Sequence, residues 1–183
     1  YKRQFYTSSS TAITQSDYND LFTTGNFIAY WNGTKISELS DFQAASGNEA
    51  NSVSVNPVFV SSSDFHTYSS FIDGAGTVVS VTEDYDGASR DGTNPDIGAY
   101  EFSSPYTPLS GPIYTIGGTS PDYTTFTDAV NDLSTRGVSG PVTFMVRNGS
   151  YNEQISFYSI SGASNTNRVT FQAESGDSSA VVL

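Results

Sequence analysis

The chain has 183 residues, enough for one domain or two small ones, and its hydrophobic content of 36% is below the average for globular proteins. Its formal net charge of −12 argues against nucleic acid as a partner, because phosphates require a basic surface, and disfavours polyanionic glycans unless a cation bridges them. The absence of Cys excludes disulfides and thiol catalysis, and the presence of a single histidine leaves no Cys/His zinc site.

No apolar run approaches the length of about 20 residues that a membrane-spanning helix needs, and residues 1–10 lack the apolar segment of a signal peptide. A short apolar run over residues 180–183 closes the chain. We interpret the sequence as an excerpt of a longer polypeptide. We therefore expect its two ends to be covered by flanking segments of the same polypeptide or by identical subunits.

Two short strands and a tight turn are predicted near the start of the chain. Alternation over residues 1–7 and an apolar run over residues 27–31 indicate the strands, and the Asn-Gly pair that follows is a strong turn signal. Tyr30 and Trp31 beside this turn are either core aromatics or a stacking platform for sugars. Because large aromatic side chains are highly buried on average, we favour the core.

A small helix is predicted over residues 37–45, with Ser37 as its cap and Gly47 at its end. Residues 78–81 predict one more strand. Residues 84–102 then combine acidic residues, glycine and arginine in a segment rich in turns.

This acidic segment has two interpretations. Calcium takes about six to eight oxygen ligands, and closely spaced aspartates with turn carbonyls provide several of them. The candidate ligands are Asp84, Asp86 and Asp91, although their spacing does not match an EF-hand loop. The alternative is a structural turn in which Arg90 pairs with a neighbouring carboxylate.

The composition divides the chain into two units and a linker. Residues 105–112 are rich in proline and predict a semi-rigid linker. The first unit is then residues 1–104 and the second is residues 113–183.

The second unit is predicted to begin with a strand and a helix. Phe126, Val130 and Leu133 share one face of this helix, and Gly137 ends it. Further strands are predicted to start at a regular spacing of 12 to 14 residues, near Val142, Ile155, Val169 and Val181.

Both units resemble parts of secreted right-handed parallel β-helix proteins. In the first unit, an Asp-Gly-x-x-Arg turn over residues 86–90 and NPDIGAYEF over residues 94–102 are similar to the closing motif of such proteins from Bacteroidota. The second unit resembles the opening of a pectate-lyase-like β-helix. The resemblance implies an all-β, right-handed parallel β-helix, in which the C-terminal coils of one unit are joined to the N-terminal cap helix and first coils of another.

The same resemblance implies a function. We expect a non-catalytic structural or adhesive segment of a large, repeat-rich surface protein, exported by a type IX-like route to the extracellular surface. Its expected partners are flanking segments, identical subunits and cell-surface glycans, with no nucleic acid and no membrane insertion. The alternative is a fragment of a carbohydrate-active or glycan-binding β-helix protein whose active coils lie outside this chain.

Catalysis within these residues is not expected. Inverting hydrolysis of glycosides requires two carboxyl groups about 6.5 to 9.5 Å apart. In the second unit, Glu153 is the only acid beside a predicted strand. His66 lies among hydroxyl residues and Asp64 without a nucleophile elbow, so we interpret it as an exposed loop residue.

Overall fold

The computed structural model describes residues 5–157 and 159–183. The chain divides into two compact units, Tyr1–Tyr106 and Thr107–Leu183. The described residues form three small sheets and two α-helices. None of the helices in this part of the chain has the length and apolar character needed to cross a membrane.

The first unit contains a three-stranded sheet, whose strands are β1 (Phe5–Thr7), β2 (Ala29–Trp31) and β3 (Thr34–Ile36). Strand β1 pairs with β2 in parallel, and β2 pairs with β3 in antiparallel fashion. Asn32 and Gly33 connect β2 to β3, and both have positive φ, as a two-residue hairpin turn requires. The predicted turn is confirmed, whereas residues 1–4 of the first predicted strand lie outside the described residues.

Helix α1 (Leu39–Ser46) packs on this sheet through Phe42, which is fully buried. The rings of Phe42 and Trp31 lie 5.6 Å apart. Trp31 is 4% exposed, so its interpretation as a core residue is confirmed. The predicted cap is wrong, because Glu38 and not Ser37 is the N-cap residue, and it makes no side-chain capping bond.

Turns and isolated bridges, not regular strands, organise the remainder of the first unit from residue 54 onward. Val55, Ile72 and Ile97 form a small core of their own. The strand predicted over residues 78–81 does not form, and the three valines in this segment are each more than half exposed.

The second unit contains two parallel sheets. The strands of the larger sheet are, in spatial order, β4 (Ile113–Ile116), β5 (Val142–Val146) and β7 (Val169–Ala173). A separate pair consists of β6 (Gly149–Ser150) and β8 (Val181–Val182), and a 3-10 turn over Ser178–Ala180 precedes β8.

Helix α2 (Phe126–Arg136) lies between β4 and β5 in sequence and confirms the predicted helix. Its predicted apolar face, Phe126, Val130 and Leu133, is buried. Leu109, which the sequence places in the linker, is also fully buried, and it belongs to the same core as α2.

The predicted right-handed parallel β-helix is wrong, and so is its assignment as closing coils, cap helix and opening coils. The structure is mixed α/β with three small sheets, and the described residues contain no closed or solenoid sheet. A β-helix needs the strands of successive coils to stack in continuous parallel sheets. Here the Asn32-Gly33 turn reverses the chain, the strand predicted near Ile155 does not form, and none of the described sheets has more than three strands.

The buried face of α2 gives a stability prediction. Leu133 is fully buried in the second core, so Leu133→Ala should lower the free energy of unfolding by about 2 to 5 kcal/mol. Asn131→Ala is the matched control, because Asn131 lies on the exposed face of the same helix and should change this energy by less than about 0.5 kcal/mol. Urea denaturation followed by far-UV circular dichroism measures both, and equal stabilities would show that α2 covers no core.

Candidate functional site

A cleft of about 1000 Å³ lies in the first unit, a volume at the upper end of the range for small-molecule sites. Three segments supply most of its lining: residues 18–27, 56–67 and 97–100. The aromatic side chains of the lining are Tyr18, Phe22, Phe27, Phe59, Phe65 and Tyr100. This mixture of rings and polar side chains makes the cleft the candidate binding site.

Asp20 is the charged residue of the cleft lining. Its backbone segment is fixed by two hydrogen bonds of 2.8 Å, from the Leu21 N–H to the Val53 carbonyl and from the Val53 N–H to the Asn19 carbonyl. The Asp20 Oδ1 atom accepts a hydrogen bond of 3.0 Å from the Val55 N–H. Burial raises the pKa of Asp20 to about 7, although the bond from Val55 opposes the shift. The Asp20 carboxyl is therefore partly protonated at neutral pH.

Two further carboxylates anchor the segment that precedes Asp20. Glu49 is fully buried, and its Oε2 atom accepts hydrogen bonds from Asn19 Nδ2 at 2.9 Å and Ser52 Oγ at 2.5 Å. Asp17 accepts hydrogen bonds from both the backbone N–H and the side-chain amide of Asn51. These contacts hold residues 17–19, where the first lining segment begins, against residues 49–52, which follow helix α1.

The rim of the cleft carries two exposed rings. Phe59 and Phe65 are 48% and 53% exposed and meet edge to face with 5.3 Å between ring centroids. Val58, just before Phe59, has a φ of +50°, an unusual conformation for a β-branched residue that costs on the order of 1 to 3 kcal/mol. A hydrogen bond from the Val58 N–H to Asn56 Oδ1 at 3.1 Å supports this conformation. Such strain clusters at ligand sites, because it persists only where the surroundings impose it.

His66 has more specific contacts than an exposed loop residue would. Its Nδ1 atom lies 2.5 Å from Asp64 Oδ1, and its Nε2 atom lies 2.9 Å from Asp86 Oδ2. Its ring stacks on Tyr100 with 3.9 Å between centroids. The hydrogen bonds to Asp64 and Asp86 raise the pKa of His66, since both favour the protonated ring. His66 thus contacts Asp64 in its own loop, Asp86 in the acidic segment and the ring of Tyr100 in the cleft lining.

The three predicted calcium ligands lie on turns. Asp84 accepts hydrogen bonds from three backbone N–H groups and Asp91 from two, while Asp86 contacts His66. The backbone hydrogen bonds lower the pKa of both Asp84 and Asp91. Within the described residues, no group of three acidic or histidine side chains is arranged to hold a metal. Calcium binding by these residues stays a prediction, for which a calcium-dependent rise in melting temperature is the measurement.

Arg90 makes the carboxylate pairing expected for a structural turn. Its Nη1 atom lies 3.3 Å from Glu101 Oε2, and its guanidinium also donates to the carbonyls of Asp96 and Gly98. Glu101 in turn accepts hydrogen bonds from the N–H groups of Asp91 and Asp96. We call this set of contacts the Arg90–Glu101 clamp. It fixes the backbone that leads into residues 97–100 of the cleft lining.

Two other residues considered from the sequence lie elsewhere. Glu153 accepts hydrogen bonds from the N–H groups of Phe126 and Thr127 and from the Thr127 hydroxyl, so it caps the N-terminus of helix α2. The bond from the Thr127 hydroxyl is the main reason that the pKa of Glu153 is lowered. Tyr30 stacks on Tyr6 with 4.7 Å between centroids and is not among the cleft residues.

No protein-family profile, curated protein sequence or solved structure matches the chain. The sequence did not indicate four of the cleft residues: Asp20, Phe59, Phe65 and Tyr100. No periodic spacing links them, because roughly thirty residues separate one lining segment from the next.

The contacts of His66 give a titration prediction. Because its two carboxylate partners stabilise the imidazolium, the titration midpoint of the single histidine should lie above its usual value of about 6.5. Asp86→Asn should move it back towards that value, whereas Asp41→Asn, an exposed change on helix α1, should not. The pH dependence of the imidazole NMR signal measures all three.

The raised pKa of His66 also makes the stability of the fold depend on pH. The stabilisation from protonated His66 is fully present below about pH 6.5 and is lost as the pH rises through the raised pKa of the folded state. A midpoint at or below the usual value, unchanged by Asp86→Asn, would contradict the geometry.

Proposed function

We propose that this chain is a non-catalytic structural and adhesive segment of a large extracellular surface protein. One observation carries the proposal: among the described residues that line the cleft, Asp20 has the only carboxyl group. Glycosidases need two carboxyl groups that flank the scissile bond, in both the inverting and the retaining mechanism. One Asp20 oxygen already accepts a backbone hydrogen bond. The cleft therefore offers groups that hold a ligand without the pair that cleaves it.

The structural part of the proposal is supported by how the turns are fixed. In a chain without cysteine, carboxylates of the first unit accept backbone N–H groups that no strand pairs. Such bonds satisfy the main chain where a strand or a disulfide would otherwise do so. The extracellular location rests on the sequence resemblance of residues 86–102.

One experiment distinguishes an adhesive function from a catalytic one. Beads coated with the chain are flowed over surfaces that carry polysaccharides, glycoproteins or bacterial envelopes, and the same materials are assayed for released reducing ends, unsaturated sugars and acetate. We expect the beads to be retained on at least one surface without any product. Beads coated with heat-unfolded chain are the control.

Two results would contradict the proposal. Product release that is lost in Asp20→Asn would indicate an enzyme. Equal retention of native and unfolded beads on every surface would show that the folded chain is not adhesive.

A further inference from the structure

The rim rings of the cleft offer apolar surface to a ligand. Phe59 and Phe65 are each about half exposed although they touch one another, and Val58, just before Phe59, has a strained φ of +50°. Aromatic rings held in this way stack well on flat apolar surfaces. One such surface is the face of a sugar ring that carries its C–H bonds.

Polar side chains of the same cleft can form hydrogen bonds with a ligand. Thr24 and Asn26 line the cleft and are exposed, and within the described residues their side chains make no hydrogen bond. The Asp20 Oδ2 atom likewise has no partner in the described part of the chain. Hydroxyl groups of a ligand can donate to the Asp20 carboxylate, accept from and donate to the Asn26 amide, and do the same with the Thr24 hydroxyl. A lipid chain would leave these groups unpaired, which costs binding energy.

The charge of the site sets further limits on the ligand. The net charge of −12 and the carboxyl of Asp20 oppose a polyanion. A cationic ligand would meet only one charged side chain, that of Asp20, among the described lining residues. None of the described lining residues belongs to a β-strand, so an extended peptide would find no sheet edge to pair with.

From this chemistry we propose that the cleft binds an uncharged saccharide chain. One sugar ring stacks on the face of Phe59 or of Phe65, whose planes are inclined at 75° to one another, and its neighbours bond to Asp20, Thr24 and Asn26 through hydroxyl groups. The volume of about 1000 Å³ accommodates more than one sugar ring. This inference rests on the proposed adhesive function and names the class of ligand that it requires.

The test begins with an array of immobilised neutral and acidic glycans, probed with the whole chain. The neutral glycan that binds most strongly is then titrated in solution against the variants. The double change Phe59→Ala and Phe65→Ala should weaken binding at least about tenfold, because stacked rings are typical energetic centres of binding sites. Asn26→Ala tests the polar contacts independently and should also weaken binding.

Phe157→Ala is the matched control. Phe157 lies in the second unit, is 50% exposed and contacts one other ring at 5.4 Å, much as Phe59 does. Its change should leave the affinity within about twofold. Fluorescence of Trp31, the only tryptophan and a core residue of the first unit, shows whether each cleft variant is folded.

Two outcomes overturn the inference. Binding restricted to acidic glycans would exclude an uncharged ligand, and neutral-glycan binding that is equal in all variants would place the site elsewhere. If bead adhesion persists while neutral glycans fail to bind, the ligand class is wrong but the adhesive function stands. If bead adhesion itself is absent, the proposed function has failed as well.

Discussion

The segment over residues 90–101, which supplies the last part of the cleft lining, depends on the Arg90–Glu101 clamp. The two side chains are only 13% and 15% exposed, so water competes weakly for their hydrogen bonds. Arg90 binds the carbonyls of Asp96 and Gly98, and Glu101 binds two backbone N–H groups. Strands that would otherwise satisfy these groups are absent from this part of the described chain. The position of Tyr100 in the cleft follows from this ion pair.

In both units, side-chain carboxylates accept hydrogen bonds from main-chain N–H groups. Asp17, Asp84 and Asp91 bind turn N–H groups, and Glu153 binds the first N–H groups of helix α2. A chain that is poor in hydrophobic residues gains order in this way, since unpaired backbone groups are costly wherever water is excluded. Much of the acidic excess is thereby explained by the architecture of the turns.

Local sequence signals predicted local structure. The Asn32-Gly33 turn and the buried face of α2 follow from φ preferences and helical periodicity, which depend on neighbouring residues. The β-helix prediction came from the resemblance of short motifs and was supported by regular strand spacing, and neither determines which strands pair. The contact between His66 and Asp86 spans twenty residues of irregular chain, and the cleft joins segments that lie further apart. No local preference encodes such contacts, so only the folded chain reveals them.

Hydrogen exchange of residues 90–102 tests the role of the clamp most directly. Glu101→Gln removes the charge that binds two N–H groups, and a hydrogen bond to a charged group contributes about 1.5 to 3 kcal/mol. The account predicts exchange at least about tenfold faster across this segment. The matched control is Glu174→Gln, which breaks the exposed pair with Arg147 in the second unit and should leave the segment unchanged. Equal exchange in wild type and Glu101→Gln would show that the clamp does not hold this segment in place.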